Sequence, residues 1–212
     1  MKVAIAGGHG KIALLLTQLL AGRGDEVRGL IRRAEHEQDV RAAGGEPVLC
    51  DIEREPVQAV ATAAAGCDAV VFAAGAGPGS GAERKWTVDY AGAVKLMAVG
   101  VERYVMISSV GADPDAEGED VFAAYLRAKG RADAELQASG LAYTIVRPGP
   151  LTDEPATGLV SLAERLDRRE ITRADTAAIV AGALADPRLA GATFVATGGK
   201  TPVGDALAAL LA

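Results

Sequence analysis

Aromatic side chains are scarce in this chain, with Phe, Trp and Tyr making up 4% of its 212 residues. Its apolar content is instead Ala, Val and Leu, which favours helices packed closely on a β-sheet over an aromatic-rich recognition surface. Histidine is rarer still: His9 and His36 are the only two, too few for a multi-histidine metal site. Cys50 and Cys67 are the only cysteines and lack C-x-x-C spacing, which excludes a disulfide framework and a zinc site, so no metal ligand is expected. No run of 18 apolar residues occurs, so no membrane span is expected. The opening "MKVAIAGG" reaches glycine too soon for a signal-peptide core, and a cytoplasmic location follows as the expectation. A net charge of −6 argues against a nucleic-acid footprint, which needs clustered Lys and Arg.

What is present is ordinary for a globular protein with a sizeable core: 50% hydrophobic residues and 24% charged, in a length typical of one domain. Strand-like runs recur at 2–7, 26–31, 46–51, 69–75, 103–108, 142–148 and 192–198. Helical segments are predicted near 10–22, 34–43, 55–65, 83–100, 119–138, 174–185 and 203–211. Several strands are apolar throughout rather than alternating, as a parallel sheet covered on both faces requires. Alternation of strand and helix implies right-handed crossovers. The predicted fold is therefore α/β: a Rossmann-like doubly wound parallel sheet of about seven strands, helices on both faces, one domain over 1–212 with a small C-terminal substrate lobe. Polar, Gly/Pro-interrupted stretches at 111–119 and 149–170 follow strands. They belong at the carboxyl edge, where open α/β sheets bind ligands, and are candidate substrate loops.

The first strand runs into Gly7, Gly8, His9, Gly10, Lys11, Ile12 and Ala13, which fits G-x-G-x-x-A and also G-x-x-G-x-x-A. Glycines permit a tight turn and let backbone N–H groups approach a pyrophosphate at the positive end of the following helix. A strand before and a helix after give the motif its required context. An NAD-preferring site places a carboxylate at the end of the second strand. Arg32 and Arg33 stand there instead, and a guanidinium grips a 2′-phosphate that a carboxylate repels, so NADP(H) is preferred over NAD(H). At the third strand's end Asp51 and Ile52 are placed near the adenine. The fourth ends in Ala73, Ala74 and Gly75, small residues that allow a cofactor close to the backbone.

Tyr125 and Lys129 stand four apart in the predicted helix 119–138. At about 100° per residue, Lys129 falls inside the apolar stripe of Val121, Phe122, Tyr125, Ala132 and Leu136, while Arg127, Arg131 and Glu135 face away. An ammonium beside a phenol favours the phenolate and makes a usable general acid or base. Upstream, Ser108 and Ser109 end the fifth strand and offer hydroxyls to a substrate oxygen.

Taken in order, "GGHGKIA", "LIRRAEH", "CDI", "VFAAGAG", "VDYAGAVKLM", "RYVMISSVGA", "YLRAK", "YTIVRPGPLTDE" and "ITRADTAAIVAGAL" resemble the short-chain dehydrogenase/reductase superfamily, in particular its small atypical, NmrA-like NAD(P)-binding members. The resemblance covers nearly the whole chain. It implies Ser109, Tyr125 and Lys129 as the catalytic set, and Gly7, Gly10 and Ala13 as the dinucleotide turn. Arg32 would meet the 2′-phosphate, Asp51 and Ile52 would lie by the adenine, and Ala73, Ala74 and Gly75 would line the ribose. Pro148 and Gly149 would pass the nicotinamide with their backbone. Lys129 would also bond the nicotinamide ribose. One departure stands out: extended relatives carry Asn in the helix before the fifth strand, where this chain has Asp89. The expected function is an NADP(H)-dependent oxidoreductase acting on a small carbonyl or alcohol. The alternatives are a non-catalytic NmrA-type redox sensor and, ranked below it, a sugar-nucleotide epimerase or dehydratase. A small-molecule substrate is expected, with no nucleic-acid or membrane partner, in a monomer or homodimer.

Overall fold

The computed structural model describes residues 1–212. In chain order its main elements are β1 (Lys2–Ala6), α1 (Lys11–Gly22), β2 (Glu26–Ile31), α2 (Glu37–Ala42), β3 (Glu46–Leu49), α3 (Val57–Ala63), β4 (Ala69–Phe72) and α4 (Gly81–Arg84). A π-helical segment, Lys85–Tyr90, joins α4 to α5 (Ala91–Met97). Then come β5 (Arg103–Ile107), α6 (Val121–Ala138), β6 (Ala142–Pro148), β7 (Leu151–Thr152), β8 (Leu159–Ala163), β9 (Ile171–Thr172), α7 (Arg173–Ala185), β10 (Ala192–Gly198), β11 (Thr201–Pro202) and α8 (Val203–Ala209).

The sheet has nine strands in the order β11-β8-β10-β6-β5-β4-β1-β2-β3. The seven predicted strands are all there and all parallel to their neighbours among them. The two additions lengthen one edge: β8 pairs antiparallel with β10, and β11 pairs antiparallel with β8. Strand β8 lies inside the stretch expected to be an irregular loop, and β7 pairs with β9 in a separate two-stranded ribbon. Such short pairings leave no hydrophobic period in the sequence: in β8 only Val160 is fully buried. No separate C-terminal lobe forms, because the last residues extend the same sheet.

Strand alternation sorts the core onto two faces. Val3, Ile5, Val71 and Val105 point toward α1, α7 and α8, where they meet Leu16, Leu20, Ile179, Val180 and Leu207. Ala4, Ala6, Phe72 and Tyr104 point toward α3, α5 and α6, meeting Val60, Leu96 and Leu136. The central strands are buried on both sides, which is why their sequences read as unbroken apolar runs. The chain winds outward from β1 in both directions, toward β3 and then, from β4, toward β10. The carboxyl ends of β1 and β4 are therefore a topological switch point, where the two loops part and leave a crevice.

The chain after β7 is fixed from α7. Thr172 caps α7 by accepting from the Asp175 N–H at 2.9 Å. The buried Asp175 carboxylate in turn accepts from the N–H groups of Thr157 (3.1 Å) and Gly158 (2.8 Å) and from the Thr157 hydroxyl (2.8 Å). Burial pushes this carboxyl up, but the bonds from Gly158, Thr157 and Thr172 outweigh it and hold the group below its ordinary value. Its stabilising contribution is therefore complete above about pH 4 and fades as pH falls through the lower folded-state value. Asp175→Ala should cost about 2–3 kcal/mol in urea unfolding at neutral pH, with the deficit shrinking in acid. A loss below about 0.5 kcal/mol would show that the 157–158 turn is held by something else.

Candidate functional site

Three close approaches shape the glycine turn at the end of β1. Gly7 has φ +80°, and a Cβ there would stand 2.7 Å from the Ala74 Cα. At Gly8 a Cβ would meet the Gly29 Cα of β2 at 2.5 Å, and the Gly8 N–H donates to the Leu30 carbonyl at 3.0 Å. Gly8 thus serves the packing of the turn on β2, with its N–H already used. The Gly10 N–H closes the turn on the Gly7 carbonyl at 2.7 Å. Gly10 is also the N-cap of α1 and supplies no side-chain cap, so the first N–H groups of the helix open toward the crevice. Ala13 is fully buried, as close helix–sheet packing requires. Lys11 turns away and pairs with Asp153 at 2.6 Å, which Arg173 also holds at 2.8 Å.

On the β2 and β3 side lies a cavity of about 270 Å³ lined by Gly7, Gly10, Arg32, Asp51, Ile52 and Ala73, among others. Of the two arginines, Arg33 is drawn to Glu35 at 3.1 Å and does not line the cavity. Arg32 lines it and makes no ion pair with the protein. The two histidines come together there, stacked with ring centroids 3.7 Å apart, and His9 Nε2 lies 2.7 Å from Asp39. Burial, followed by the neighbouring His9, holds the His36 imidazole below its ordinary value. Asp51 accepts from the Glu53 N–H at 3.0 Å, and the Lys95 ammonium gathers the carbonyls of Ile52, Glu53 and Glu55. Glu53 itself is fixed by Arg84 at 2.7 Å and Thr87 at 2.6 Å, and the Arg84 bond keeps its carboxyl below the ordinary value.

A second cavity of about 540 Å³ opens on the other side of the switch point and shares Ala73, Ala74 and Gly75 with the first. The two form one continuous cleft across the end of β4. Ile12, Ser108, Tyr125, Lys129, Asp89 and Leu151 line this half. Lys129 is almost wholly buried and has three partners: the Ile107 carbonyl at 3.0 Å, Asp89 Oδ1 at 3.6 Å and the Phe72 ring 5.0 Å away. The other Asp89 oxygen accepts from the Ala76 N–H at 3.1 Å. Lys129 makes no hydrogen bond to Tyr125; the phenol ring has Lys85 near its face instead, 5.6 Å from the centroid.

Several expected positions lie elsewhere. Ser109 turns its hydroxyl to the Val110 carbonyl at 3.2 Å and is not in the cleft wall, whereas Ser108 is. Ser108 is buried beside Asp133, without a fully formed hydrogen bond between them. Asp133 is held by Arg147 at 2.8 Å. Pro148 and Gly149 are built into the sheet rather than the cleft: the Pro148 carbonyl accepts from Val110, the Gly149 N–H donates to Ala196, and a Gly149 Cβ would collide with the Arg169 carbonyl. The expected substrate loop 111–119 folds back along α6, where the Arg127 guanidinium donates to the carbonyls of Ala116 and Gly118. No residue of that loop lines the cleft. From 149–170, Leu151 does.

Sequence reasoning missed Lys85, His36 and the Gly77–Gly79 loop, all part of the cleft wall. A lysine in "ERKWTVDY" reads as a solvated face, and nothing in the sequence signals a π-helical segment. The signal for Val121 and Phe122 was present but meant something else: both belong to the apolar stripe of α6, yet each is 45% exposed and faces the cleft rather than the core.

An uncapped helix start, a glycine cradle and an unpaired arginine along one cleft are the features a dinucleotide phosphate chain needs. Residues 7–187 match the family described as NAD(P)H-binding. The chain belongs to that family. Within this NAD(P)H-binding family it is 38% identical over 212 residues to a Bacillus subtilis protein named an uncharacterized sugar epimerase, covering 98% of this chain and 99% of the relative. Among solved structures, a Bacillus halodurans protein provisionally named an NAD-dependent epimerase/dehydratase superposes with TM-score 0.91 at 37% identity, covering 99% of each chain. An oxidoreductase from Lactococcus lactis superposes with TM-score 0.85 at 28% identity, covering 100% of this chain and 97% of that one. These likenesses identify an NAD(P)H-binding, oxidoreductase-like fold. Gly7→Ala forces a Cβ against Ala74 at positive φ, and NADPH affinity should fall by more than about tenfold in a fluorescence titration. An unchanged affinity in a folded variant would remove the turn from the nucleotide site.

Proposed function

We propose that this chain is an NADPH-dependent oxidoreductase of the atypical short-chain type that reduces a small carbonyl compound. The observation that carries the reading is the single cleft with Arg32 at one end and Ser108, Tyr125 and Lys129 at the other, joined across the glycine turn. Arg32 has no carboxylate partner and meets the 2′-phosphate; no acidic residue ends β2 to receive a ribose hydroxyl, which favours NADPH over NADH. The N–H groups at the start of α1 hold the pyrophosphate, and Ala73, Ala74 and Gly75 let the ribose pass close to the backbone.

NADPH bound in this cleft supplies the hydride. Tyr125, which lines this half of the cleft, gives the proton to the substrate oxygen. Ser108 belongs to the same wall, but its hydroxyl is buried beside Asp133, and that of Ser109 donates to the Val110 carbonyl, so neither serine hydroxyl is turned to that oxygen. Lys129, fixed by Asp89 and the Ile107 carbonyl, keeps a positive charge beneath the reacting groups. A non-catalytic sensor would need the turn and Arg32 alone, with no use for a phenol and a buried lysine in the same cleft. Epimerisation of a sugar nucleotide is the reading that the Bacillus subtilis relative's name favours. The exposed apolar surfaces of Val121 and Phe122, beside Ile12, Ile107 and Leu151, suit a substrate with an apolar body, and reduction of such a carbonyl fits them better than a sugar does.

Calorimetry separates these statements. Arg32→Ala should weaken NADPH by about tenfold or more and leave NADH nearly unchanged. Equal losses for both nucleotides would overturn the NADPH preference. Tyr125→Phe should abolish NADPH oxidation in a screen of aldehydes and ketones while NADPH affinity holds within about twofold. Undiminished turnover would remove Tyr125 from the chemistry.

A further inference from the structure

The π-helical segment begins with a lysine that the nucleotide chemistry does not use. Lys85 is only 7% exposed and lines the half of the cleft that holds Tyr125 and Lys129. Its ammonium donates to one neutral group, the Gly77 carbonyl at 2.8 Å, and lies 5.6 Å from the centre of the Tyr125 ring. It takes part in none of the chain's ion pairs. Buried ammonium groups are costly unless a counter-charge accompanies them. The protein supplies one to the other lysine of this cleft: Lys129 has Asp89, and Asp89 is committed to Lys129 and the Ala76 N–H. Arg84, the neighbouring cation, has Glu53. This half of the cleft is therefore lined by two ammonium groups and one carboxylate, leaving the Lys85 charge without a counter-charge from the protein. π-helical turns are uncommon and gather at functional sites, as this one does with both Lys85 and Asp89 in the wall.

The surroundings narrow the ligand further. Val121 and Phe122, each 45% exposed, present apolar surface to the same space, and the Arg168 guanidinium caps the Phe122 ring at 5.1 Å. Resting on the reductase reading above, we propose that the substrate is an amphipathic oxo acid: an apolar body against Val121 and Phe122, and one carboxylate on the Lys85 ammonium. A carboxylate matches the charge of a single ammonium that has donors left after Gly77. A phosphate would leave charge over, and Lys85 lies within a continuous helix and offers no free backbone N–H groups to absorb it.

The test uses the NADPH complex and calorimetric titration with 4-oxo-4-phenylbutanoate, shorter and longer aryl oxo acids, and the methyl ester of each. In the wild type at least one acid should bind about tenfold or more tightly than its ester, as a charge-assisted hydrogen bond in a dry site requires. In Lys85→Met that preference should disappear with NADPH affinity unchanged, and Lys85→Arg should restore a part of it. Esters binding as well as acids throughout the series, or a preference that survives Lys85→Met, would overturn the proposal. Failure of NADPH itself to bind the wild type would instead overturn the reductase reading on which it rests.

Discussion

A buried ammonium is costly without a counter-charge, and Lys129 organises the site through the partners that offset that cost. From α6 it reaches partners in three other places in the chain: Asp89 in the π-helical segment, the Ile107 carbonyl of β5 and the Phe72 ring of β4. Asp89 passes the constraint on by accepting from the Ala76 N–H, which fixes the chain leaving β4. That chain is the shared wall between the two halves of the cleft. Removing one member of a buried pair leaves the other charge uncompensated, so the wall, the helix and the cleft are coupled through a single contact. A carboxylate at position 89 meets this requirement, since an amide there would not supply the counter-charge.

The second constraint is steric and lies on the other side of the same wall. Gly7 against Ala74 and Gly8 against Gly29 bring the turn after β1 within backbone contact of β4 and β2. The sequence pattern anticipated a turn open to pyrophosphate, and the N-terminus of α1 is open. It did not anticipate that one of the glycines serves packing alone. Glycine is legible in a sequence as a permission, but which neighbour uses that permission depends on tertiary distance.

The same distinction explains what else was and was not legible. The central parallel strands β1, β4 and β5 were readable because burial on both faces leaves nearly unbroken apolar runs. Strands β7, β9 and β11 were not, since two residues carry no period, and β8 was not because only Val160 of its five residues is fully buried. The inward phase of Lys129 was correct, but its cause was not the neighbouring phenol: the ammonium goes to Asp89, and Tyr125 sees Lys85 instead. Ser109 was the serine implied by family pattern, but its hydroxyl goes to the Val110 carbonyl, and Ser108, which does belong to the cleft wall, buries its hydroxyl beside Asp133. Period tells which residues share a face, and only packing tells what that face meets.

The loop regions carry this further. The stretch 111–119 was expected beside the substrate because it follows β5, yet Gly130 on α6 lets it lie flat on that helix: a Cβ there would stand 2.2 Å from the Asp113 carbonyl carbon. With that loop folded away, Leu151 completes the cleft wall from the opposite direction, and Arg168 lies over the ring of the lining residue Phe122. Both come from the insertion between β6 and α7 that also supplies β8 and is anchored by Asp175. Edge extension and cleft wall are thus one structural decision: the chain that lengthens the sheet is the chain that closes the apolar side of the site. Relatives with the same glycine turn and a different insertion would keep the nucleotide and exchange the substrate, as expected where a scaffold fixes the cofactor and loops fix specificity.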